Sequence, residues 1–429
     1  MPRKLMSAPK HEKTTLRSGL RVLSSTMPTT NAVSLVINFG AGSRYESDEL
    51  AGSSHLFEHL LFKGTRKRPQ PRMISQVVEG VGGTLNAYTD RELTGYWARV
   101  PRQHYGEGLE VLIDMIRNSL LRPSDIKREK QVVFEEIRAS NDSPSSRVDT
   151  ILDEVMWPDQ PMGRDIAGTE ESVGAVSRSA LLGYMATQYV PVNTVVAVAG
   201  GITHHEVVRQ VERLMGDWKG TRPLVFDKVV DNYLGPQVRL EFRKTEQAHL
   251  ALAIHGISLF DPDRYALRLL SAAFGESMSS RLFEEVREKR GLAYDIHSAV
   301  SMYSDCGAFH VSSGVDPKRA VEAVKVIVSE LARLLDGLPE AELAEAKELS
   351  KGRLILRMEE SRAVASSIGV QELVRGKIET IDDMVAGFNR VTGDDVRRVA
   401  RRVIRPERVA LAVVGPFKSE ARFLQALKF

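Results

Sequence analysis

Residues 55–59 read His55-Leu56-Phe57-Glu58-His59, which places two imidazoles and one carboxylate within five positions of the chain. In a helix, residues three and four positions apart are neighbours, so these polar side chains would project from one face. Leucine and phenylalanine fill the opposite face as far as Leu61, which predicts an amphipathic helix with Gly64 as its C-cap. Two neutral histidines suit zinc, and the carboxylate could ligate the ion or accept a proton from its bound water. The segment therefore indicates a metal-dependent hydrolase.

A third metal ligand is expected from a second helical pattern at residues 123–137. Its apolar residues recur at helical spacing: Ile126, Val133 and Ile137. Glu129 and Glu136 are seven positions apart, nearly two turns, and lie beside this stripe, whereas Glu135 points toward water. Since catalytic zinc usually has three protein ligands, we expect Glu136 as the third and Glu129 as a partner that orients a histidine ligand. Three solvated helix glutamates are the alternative interpretation.

This spacing resembles that of the pitrilysin/insulinase family of zinc peptidases, the inverzincins, in which H-x-x-E-H is followed about 76 residues later by a helical glutamate. The family includes the insulin-degrading enzyme and the mitochondrial and bacterial processing peptidases. The resemblance implies one zinc ion per chain, held by His55, His59 and Glu136, with Glu58 as the general base. Glu129 matches an additional acidic residue of the family's catalytic site.

Two further stretches resemble the same family. Residues 82–89 resemble its edge strand, which pairs with extended substrate backbone near the zinc, so Asn86 and Ala87 are the implied substrate contacts. Arg287 and Tyr294, also seven positions apart, resemble an Arg/Tyr pair that binds substrate and assists catalysis from the opposite wall. The implied substrate is a peptide or an unfolded polypeptide segment in extended form.

The chain repeats one pattern of strands and helices. A strand-like run at 32–40 precedes the H-x-x-E-H helix, and a similar run at 248–256 precedes another helix. Each half later contains a long amphipathic helix, at 105–118 in the first and 317–335 in the second. Mixed elements in this order predict an α+β fold of two similar α/β-layered domains, each with helices on a mainly antiparallel sheet.

The domain boundaries are expected around a linker at 219–236, which is rich in turn-forming residues. Residues 12–218 would then form the zinc-binding catalytic domain. Residues 237–429 would form a second, homologous domain that carries the Arg/Tyr pair. No metal-binding side chains stand there at the positions that correspond to His55 and His59, so no metal site is expected in it.

Composition narrows the classes of partner and compartment. Lys and Arg number 59 against 56 Asp and Glu, a net charge of +3 that argues against nucleic acid or a membrane as partner. Cys306 is the single cysteine, so neither an internal disulfide nor a thiolate zinc cluster is expected. Residues 1–8 lack the apolar core of a secretory signal, which favours the cytoplasm and leaves a short organellar transit sequence open.

The resulting hypothesis is a zinc-dependent metalloendopeptidase. The chain is about half as long as the family's two-walled members, so the resemblance implies that two chains face each other. Because one chain carries both sets of residues, a homodimer is expected, and a heterodimer with a homologous subunit stays open. The alternatives are a catalytically silent core or scaffold subunit of the same fold, and a zinc-binding protein without catalysis.

Overall fold

The computed structural model describes residues 11–220, 222–231 and 235–428. Residues 1–8, on which the expectation about compartment rests, lie outside these ranges, as do positions 221 and 232–234 of the expected linker. The strands are β1 (His11–Thr15), β2 (Arg21–Thr26), β3 (Ala32–Phe39), β4 (Thr84–Thr89), β5 (Thr94–Pro101), β6 (Thr194–Gly200), β7 (Gln237–Phe242), β8 (Ala248–His255), β9 (Ala293–Met302), β10 (Gly307–Val315) and β11 (Val409–Gly415).

The helices occupy most of the remaining described chain. They are α1 (Ser53–Leu61), α2 (Pro71–Glu79), α3 (Tyr105–Asn118), α4 (Pro123–Asp142), α5 (Pro144–Met156), α6 (Glu170–Ala175), α7 (Arg178–Gln188), α8 (His204–Met215), α9 (Arg264–Gly275), α10 (Ala320–Arg333), α11 (Glu340–Arg357), α12 (Ser361–Arg375), α13 (Ile381–Arg390), α14 (Gly393–Val403) and α15 (Ala421–Ala426). A π-helical turn, Phe283–Glu288, precedes β9.

Two sheets with the same kind of pairing organise the chain. The first has the order β1-β2-β6-β3-β5-β4, and the second has the order β7-β11-β8-β10-β9. Each contains one parallel pair, β2 with β6 and β7 with β11, and its other pairs are antiparallel. Helices lie against both sheets, so the predicted α+β fold of two similar layered domains is confirmed.

The described residues divide into two compact units, each discontinuous in sequence. The first unit comprises described residues of Met1–Ile137, Asp165–Asp227 and Ile355–Asp382. The second comprises those of Arg138–Arg164, Lys228–Leu354 and Asp383–Phe429. The expected ranges 12–218 and 237–429 are continuous and describe the repeat in the sequence rather than compact units in space. As boundaries of that repeat they stay a prediction. The compact units differ from them mainly by exchanging α5 and α12.

The exchange gives each sheet a helix on its second face. In the first unit, Val364 and Ile368 of α12 pack on the side of β3 and β6 that the other helices leave bare. In the second unit, α5 packs in the same way on β8 and β11. Alanines lie in the strands beneath both helices, which allows close approach of helix to sheet: Ala197, Ala199, Ala251, Ala253, Ala410 and Ala412. Both faces of the central strands are therefore buried.

Helix bounds follow the sequence pattern closely, with one correction. The run at 105–118 forms α3, and the run at 317–335 forms a short 3₁₀ turn followed by α10. The prediction of Gly64 as the C-cap of α1 is wrong, because the helix ends at Leu61 and Phe62 is its C-cap. Gly64 instead has φ +136°, and a Cβ there would lie 2.7 Å from the Pro69 carbonyl oxygen. Within the described ranges, no helix combines the length and apolar character needed to span a membrane.

Candidate metal centre

Helix α1 presents its two histidines on one side and buries the other side in the first unit's core. Leu56, Phe57, Leu60 and Leu61 are at most 1% exposed. The side chains of His55 and His59 are 20% and 16% exposed. Because the apolar side is fixed by packing, the orientation of the histidine side follows from it.

The start of α1 is held by a carboxylate from the preceding loop. Gly52 is the N-cap with φ 86° and offers no side-chain cap. Glu46, buried, accepts the backbone N–H of Gly52 at 2.8 Å and that of Ser54 at 2.6 Å. A negative charge at a helix N-terminus is favourable, so Glu46 both satisfies two backbone donors and fixes the helix axis.

The ends of three side chains converge beside α1. His55 Nε2 lies 3.6 Å from Glu136 Oε2, and His59 Nε2 lies 3.5 Å from the same oxygen. One ligand atom of each of these residues lies within 4.8 Å of the other two, and no second such His, Cys, Asp and Glu group occurs among the described residues. An ion about 2.0–2.2 Å from tetrahedral ligands separates them by roughly 3.3–3.6 Å, so the three residues fit zinc.

The other nitrogens of the histidines face inward. His59 Nδ1 lies 3.6 Å from Oε2 of Glu129, whose side chain is only 3% exposed. His55 Nδ1 is buried and has no hydrogen-bond partner among the described residues. Glu129 therefore stands where a carboxylate can accept the Nδ1–H of His59 and leave Nε2 free.

Electrostatics favour neutral imidazoles in this cluster. Burial lowers the pKa of His55, and the neighbouring His59 lowers it further, whereas Glu136 opposes the shift. Burial also lowers the pKa of His59, against the opposing influence of Glu129. Since a histidine must be unprotonated at the nitrogen that binds a metal, both shifts suit ligands.

Glu58 is held apart from the three converging residues. Its Oε2 accepts a hydrogen bond from Thr89 Oγ1 at 2.5 Å. Burial raises the pKa of Glu58; the bond from Thr89 opposes the rise and the charge of Glu136 adds to it. A carboxylate anchored through one oxygen, with a raised pKa, is equipped to accept a proton through the other.

The reason given for choosing Glu136 over Glu135 is only partly right. The side chain of Glu136 meets both histidines, although it is 47% exposed and does not face a buried side. Of the two glutamates beside the apolar stripe, Glu129 and Glu136, the buried one is Glu129. The apolar stripe located the helix face that meets the histidines, but it could not tell that this face is open to solvent at Glu136.

The predicted substrate strand lies at a sheet edge. Residues 84–89 form β4, which pairs with β5 in the register Ala87 to Tyr96 and ends the first sheet. Its other edge has no strand partner in the described part of the chain. The Ala87 N–H donates to Asn86 Oδ1 at 2.7 Å.

Arg287 and Tyr294 come together in the second unit. Arg287 lies on the π-helical turn and Tyr294 at the start of β9. The guanidinium carbon of Arg287 is 4.8 Å from the Tyr294 ring centroid and 4.6 Å from that of Phe283. Tyr294 is 77% exposed, so the pair presents a cation stacked on an accessible aromatic ring.

Three residues that sequence reasoning did not assign take part in the first unit's site. Thr89 contacts Glu58, Glu46 caps α1, and Lys63 contacts Glu129 at 2.9 Å. Lys63 and Glu129 are 66 positions apart, and Thr89 and Glu58 are 31 positions apart, so periodicity carries no signal for either contact. Glu46 alone had a local signal, as an acidic residue a few positions before a helix without a capping side chain.

Comparison with known proteins gives matches over nearly the whole chain. Residues 21–170 match the family model described as insulinase (peptidase family M16), and residues 175–350 match that described as peptidase M16 inactive domain. A protein of Streptomyces coelicolor named an uncharacterized zinc protease is 37% identical over 95% of this chain and 90% of its own length.

Solved structures share the fold. A protease from Helicobacter pylori has a TM-score of 0.89 at 24% identity, covering 95% of this chain and all of that one. A chain of complex III2 from Candida albicans has a TM-score of 0.85 at 22% identity, covering 97% of this chain and all of that one. The two family models and the relative from Streptomyces together show that this chain belongs to the insulinase family of peptidases, peptidase family M16.

Proposed function

We propose that the protein is a zinc-dependent metalloendopeptidase that cleaves peptides or unfolded polypeptide segments bound in extended form. The observation that carries this proposal is the convergence of His55, His59 and Glu136, with the Glu58 carboxylate anchored beside them. Three protein ligands leave a fourth position open, as in catalytic zinc sites, whereas structural sites are closed by four. The separate carboxylate supplies a base that a site built only to hold zinc does not need.

The chemistry divides between the ion and the side chains. Zinc bound to these three residues would supply a Lewis acid that polarises the scissile carbonyl and lowers the pKa of a water. Glu58 accepts the proton of the attacking water through the carboxylate oxygen that Thr89 does not hold. Glu58 then delivers this proton to the leaving amine nitrogen. Glu129, whose Oε2 lies 3.6 Å from His59 Nδ1, is placed to accept the Nδ1–H of His59 and to keep its ring oriented.

The free edge of β4 supports the proposal that substrate binds as an added strand. Backbone groups at such an edge pair with any extended peptide, so length and extension matter more than side-chain identity. A peptide aligned with Ala87 would replace the bond that this N–H now makes to Asn86. Most backbone groups of a folded protein are already paired, which favours peptides and unfolded segments as substrates.

We also propose a homodimer in which Arg287 and Tyr294 of one copy act on substrate at the zinc site of the other. The half-buried Arg287, stacked on the exposed ring of Tyr294, suits binding of a peptide carbonyl or of the oxyanion that forms on it. The complete set of zinc ligands and the anchored base favour an active peptidase over a silent scaffold subunit.

The proposal is tested by measuring bound zinc and cleavage of a quenched, unstructured peptide in the same preparation. We expect about one zinc per chain, loss of cleavage on removal of the metal by a chelator, and recovery when zinc is returned. Bound zinc without cleavage would support the zinc-binding alternative. Neither zinc nor cleavage would support the scaffold alternative, and cleavage that survives complete removal of metal would exclude the mechanism.

A further inference from the structure

The buried carboxylate of Glu129 has a cationic partner in Lys63. Lys63 Nζ lies 2.9 Å from Glu129 Oε2, and the side chains are 28% and 3% exposed. Taking a carboxylate out of water without a compensating charge is strongly unfavourable. Of the lysines and arginines in the described ranges, Lys63 is the one within ion-pair distance of Glu129. The ammonium therefore compensates a charge that the interior would otherwise leave unpaired.

The same carboxylate oxygen also faces a zinc-ligand candidate. Glu129 Oε2 is 3.6 Å from His59 Nδ1, while His59 Nε2 faces Glu136. A neutral imidazole carries its proton on one nitrogen only, so the group that accepts the Nδ1–H decides whether Nε2 is free. Lys63, Glu129 and His59 thus form a chain of contacts that ends at the nitrogen available to the metal.

The backbone holds Lys63 in a fixed place in this chain. Its N–H donates to the Leu60 carbonyl at 3.1 Å, just beyond the end of α1. The next residue, Gly64, approaches Pro69 so closely that a side chain would collide with the Pro69 carbonyl. The Gly64 carbonyl in turn accepts the N–H of Leu120 at 3.0 Å. The turn is thereby tied to the segment that leads into α4, the helix that carries Glu129.

We propose that Lys63 is a positioning residue of the zinc site. It holds the Glu129 carboxylate 3.6 Å from His59 Nδ1, where that group can accept the Nδ1–H, and so favours the tautomer in which Nε2 can bind the metal. The inference rests on the zinc site of the proposed function. It concerns metal binding and not cleavage, so a protein that binds zinc without cleaving peptides would defeat the proposed function alone.

The test compares zinc affinity, measured by competition with a chelator, in the zinc-free protein after reconstitution. Lys63→Met removes the charge at similar volume, and we expect affinity to fall about 10- to 100-fold, the usual effect of losing such an outer partner. Lys63→Arg keeps the charge and should recover most of the affinity. Lys67→Met is the matched control, because Lys67, four positions after Lys63, pairs with Glu110 and does not reach a zinc-ligand candidate. It should leave zinc affinity unchanged.

Two measurements separate positioning from simple stabilisation. Nitrogen-15 histidine NMR of the zinc-free protein should show less of the Nδ1–H tautomer of His59 in Lys63→Met than in the parent or Lys67→Met. In a double-mutant cycle, Lys63→Met should have little further effect on zinc affinity once Glu129→Gln is present, because Lys63 acts through that carboxylate.

Unchanged zinc affinity and tautomer in Lys63→Met would overturn the proposal, as would losses that are additive with Glu129→Gln. A parent protein that binds no zinc would overturn it together with the proposed function. Lys63→Gln, which also removes the charge, takes the place of Lys63→Met in the cycle if Lys63→Met does not fold. Zinc affinity and a His59 tautomer that are both unchanged in Lys63→Gln would then count against the chain of contacts.

Discussion

The hydroxyl of Thr89, on the last residue of strand β4, donates a hydrogen bond of 2.5 Å to the carboxylate of Glu58 on helix α1. The strand proposed to hold substrate and the side chain proposed as base are thereby joined by one contact. Peptide that docks on β4 would be fixed relative to the group that takes the proton, since both depend on the same strand. Orientation of this kind contributes to catalysis because the reacting groups are already held in the geometry that the reaction requires.

Replacing Thr89 by Val should lower kcat by about 10-fold or more with little change in KM or zinc content. Losing a hydrogen bond to a charged group costs about 1.5–3 kcal/mol. If the whole cost appears in the activation free energy, kcat falls by about 10-fold or more. Steady-state kinetics on a quenched peptide measure the split between kcat and KM. Thr89→Ser keeps the donor and should retain most activity, and Thr84→Val tests the same change at the exposed start of the strand. Equal kcat in Thr89→Val and Thr84→Val would show that the bond does not serve the base.

Replacing Glu46 by Ala should destabilise the first unit, because two backbone N–H groups at the start of α1 lose their acceptor. The cost should be about 2 kcal/mol, the upper range for loss of a helix cap. Zinc affinity should fall as well, since the axis of the helix that carries both histidines is less firmly held. Urea unfolding of the zinc-free protein measures the first effect. Glu49→Ala, at an exposed position of the same loop, is the control and should leave both quantities nearly unchanged.

Acid should destabilise the second unit through His255. Burial lowers the pKa of His255 from 6.5 to about 4. Above pH 6.5 the residue is neutral whether the chain is folded or unfolded, so its protonation does not affect the free energy of unfolding. As the pH falls below 6.5, the unfolded chain binds a proton that the folded chain does not bind, so stability decreases until about pH 4. The loss should reach about 3 kcal/mol, and it should be absent in His255→Gln.

The Trp157 ring centroid is 5.8 Å from that of His255, so Trp157 fluorescence can follow unfolding of this unit. Urea titrations between pH 7.5 and 4.5, with Trp97 and Trp218 replaced by Phe, give the stability difference between parent and variant. His205→Gln, at an exposed position, is the control. A difference between parent and His255→Gln that does not vary with pH would exclude His255 as the source of acid sensitivity.

The proposed homodimer predicts complementation between two inactive chains. Glu58→Gln lacks the base and Arg287→Ala lacks the substrate-binding cation, so each alone should be nearly inactive. After subunit exchange at equal amounts, half the dimers would be mixed, and each would hold one complete site. Activity should therefore reach about one quarter of the parent value. A mixture no more active than the separate variants, under conditions where exchange is shown, would mean that both residues act within one chain or that Arg287 has no part.

Much of the first unit's site could be predicted from local pattern. Helical spacing placed His55 and His59 on one side of α1, and the apolar stripe of α4 selected Glu129 and Glu136 over Glu135. Such patterns work because they report the side of a helix that must be buried. They do not report how far a given turn is covered, which is why the exposure of Glu136 differed from expectation.

Contacts between residues far apart in the chain could not be predicted from the sequence pattern. Neither Lys63 nor Thr89 sits in a pattern that indicates its partner, because ion pairs and hydrogen bonds across the fold carry no periodicity. The exchange of α5 and α12 was missed for a related reason: an amphipathic helix shows that it will cover an apolar surface, but not which sheet provides it. Gly64 lies at a close approach of two backbones and not at a cap, and the sequence does not distinguish these positions because glycine suits both.

The most direct test of the proposed mechanism is the Glu58→Gln variant, assayed for bound zinc and for peptide cleavage in one preparation. The substitution keeps the size of the side chain and its contact with Thr89, and it removes the ability to accept a proton. We expect zinc content equal to that of the parent and a loss of cleavage of at least about 100-fold, the usual range for a general base. Cleavage near the parent rate with zinc in place would contradict the mechanism, because the water would then be activated without Glu58.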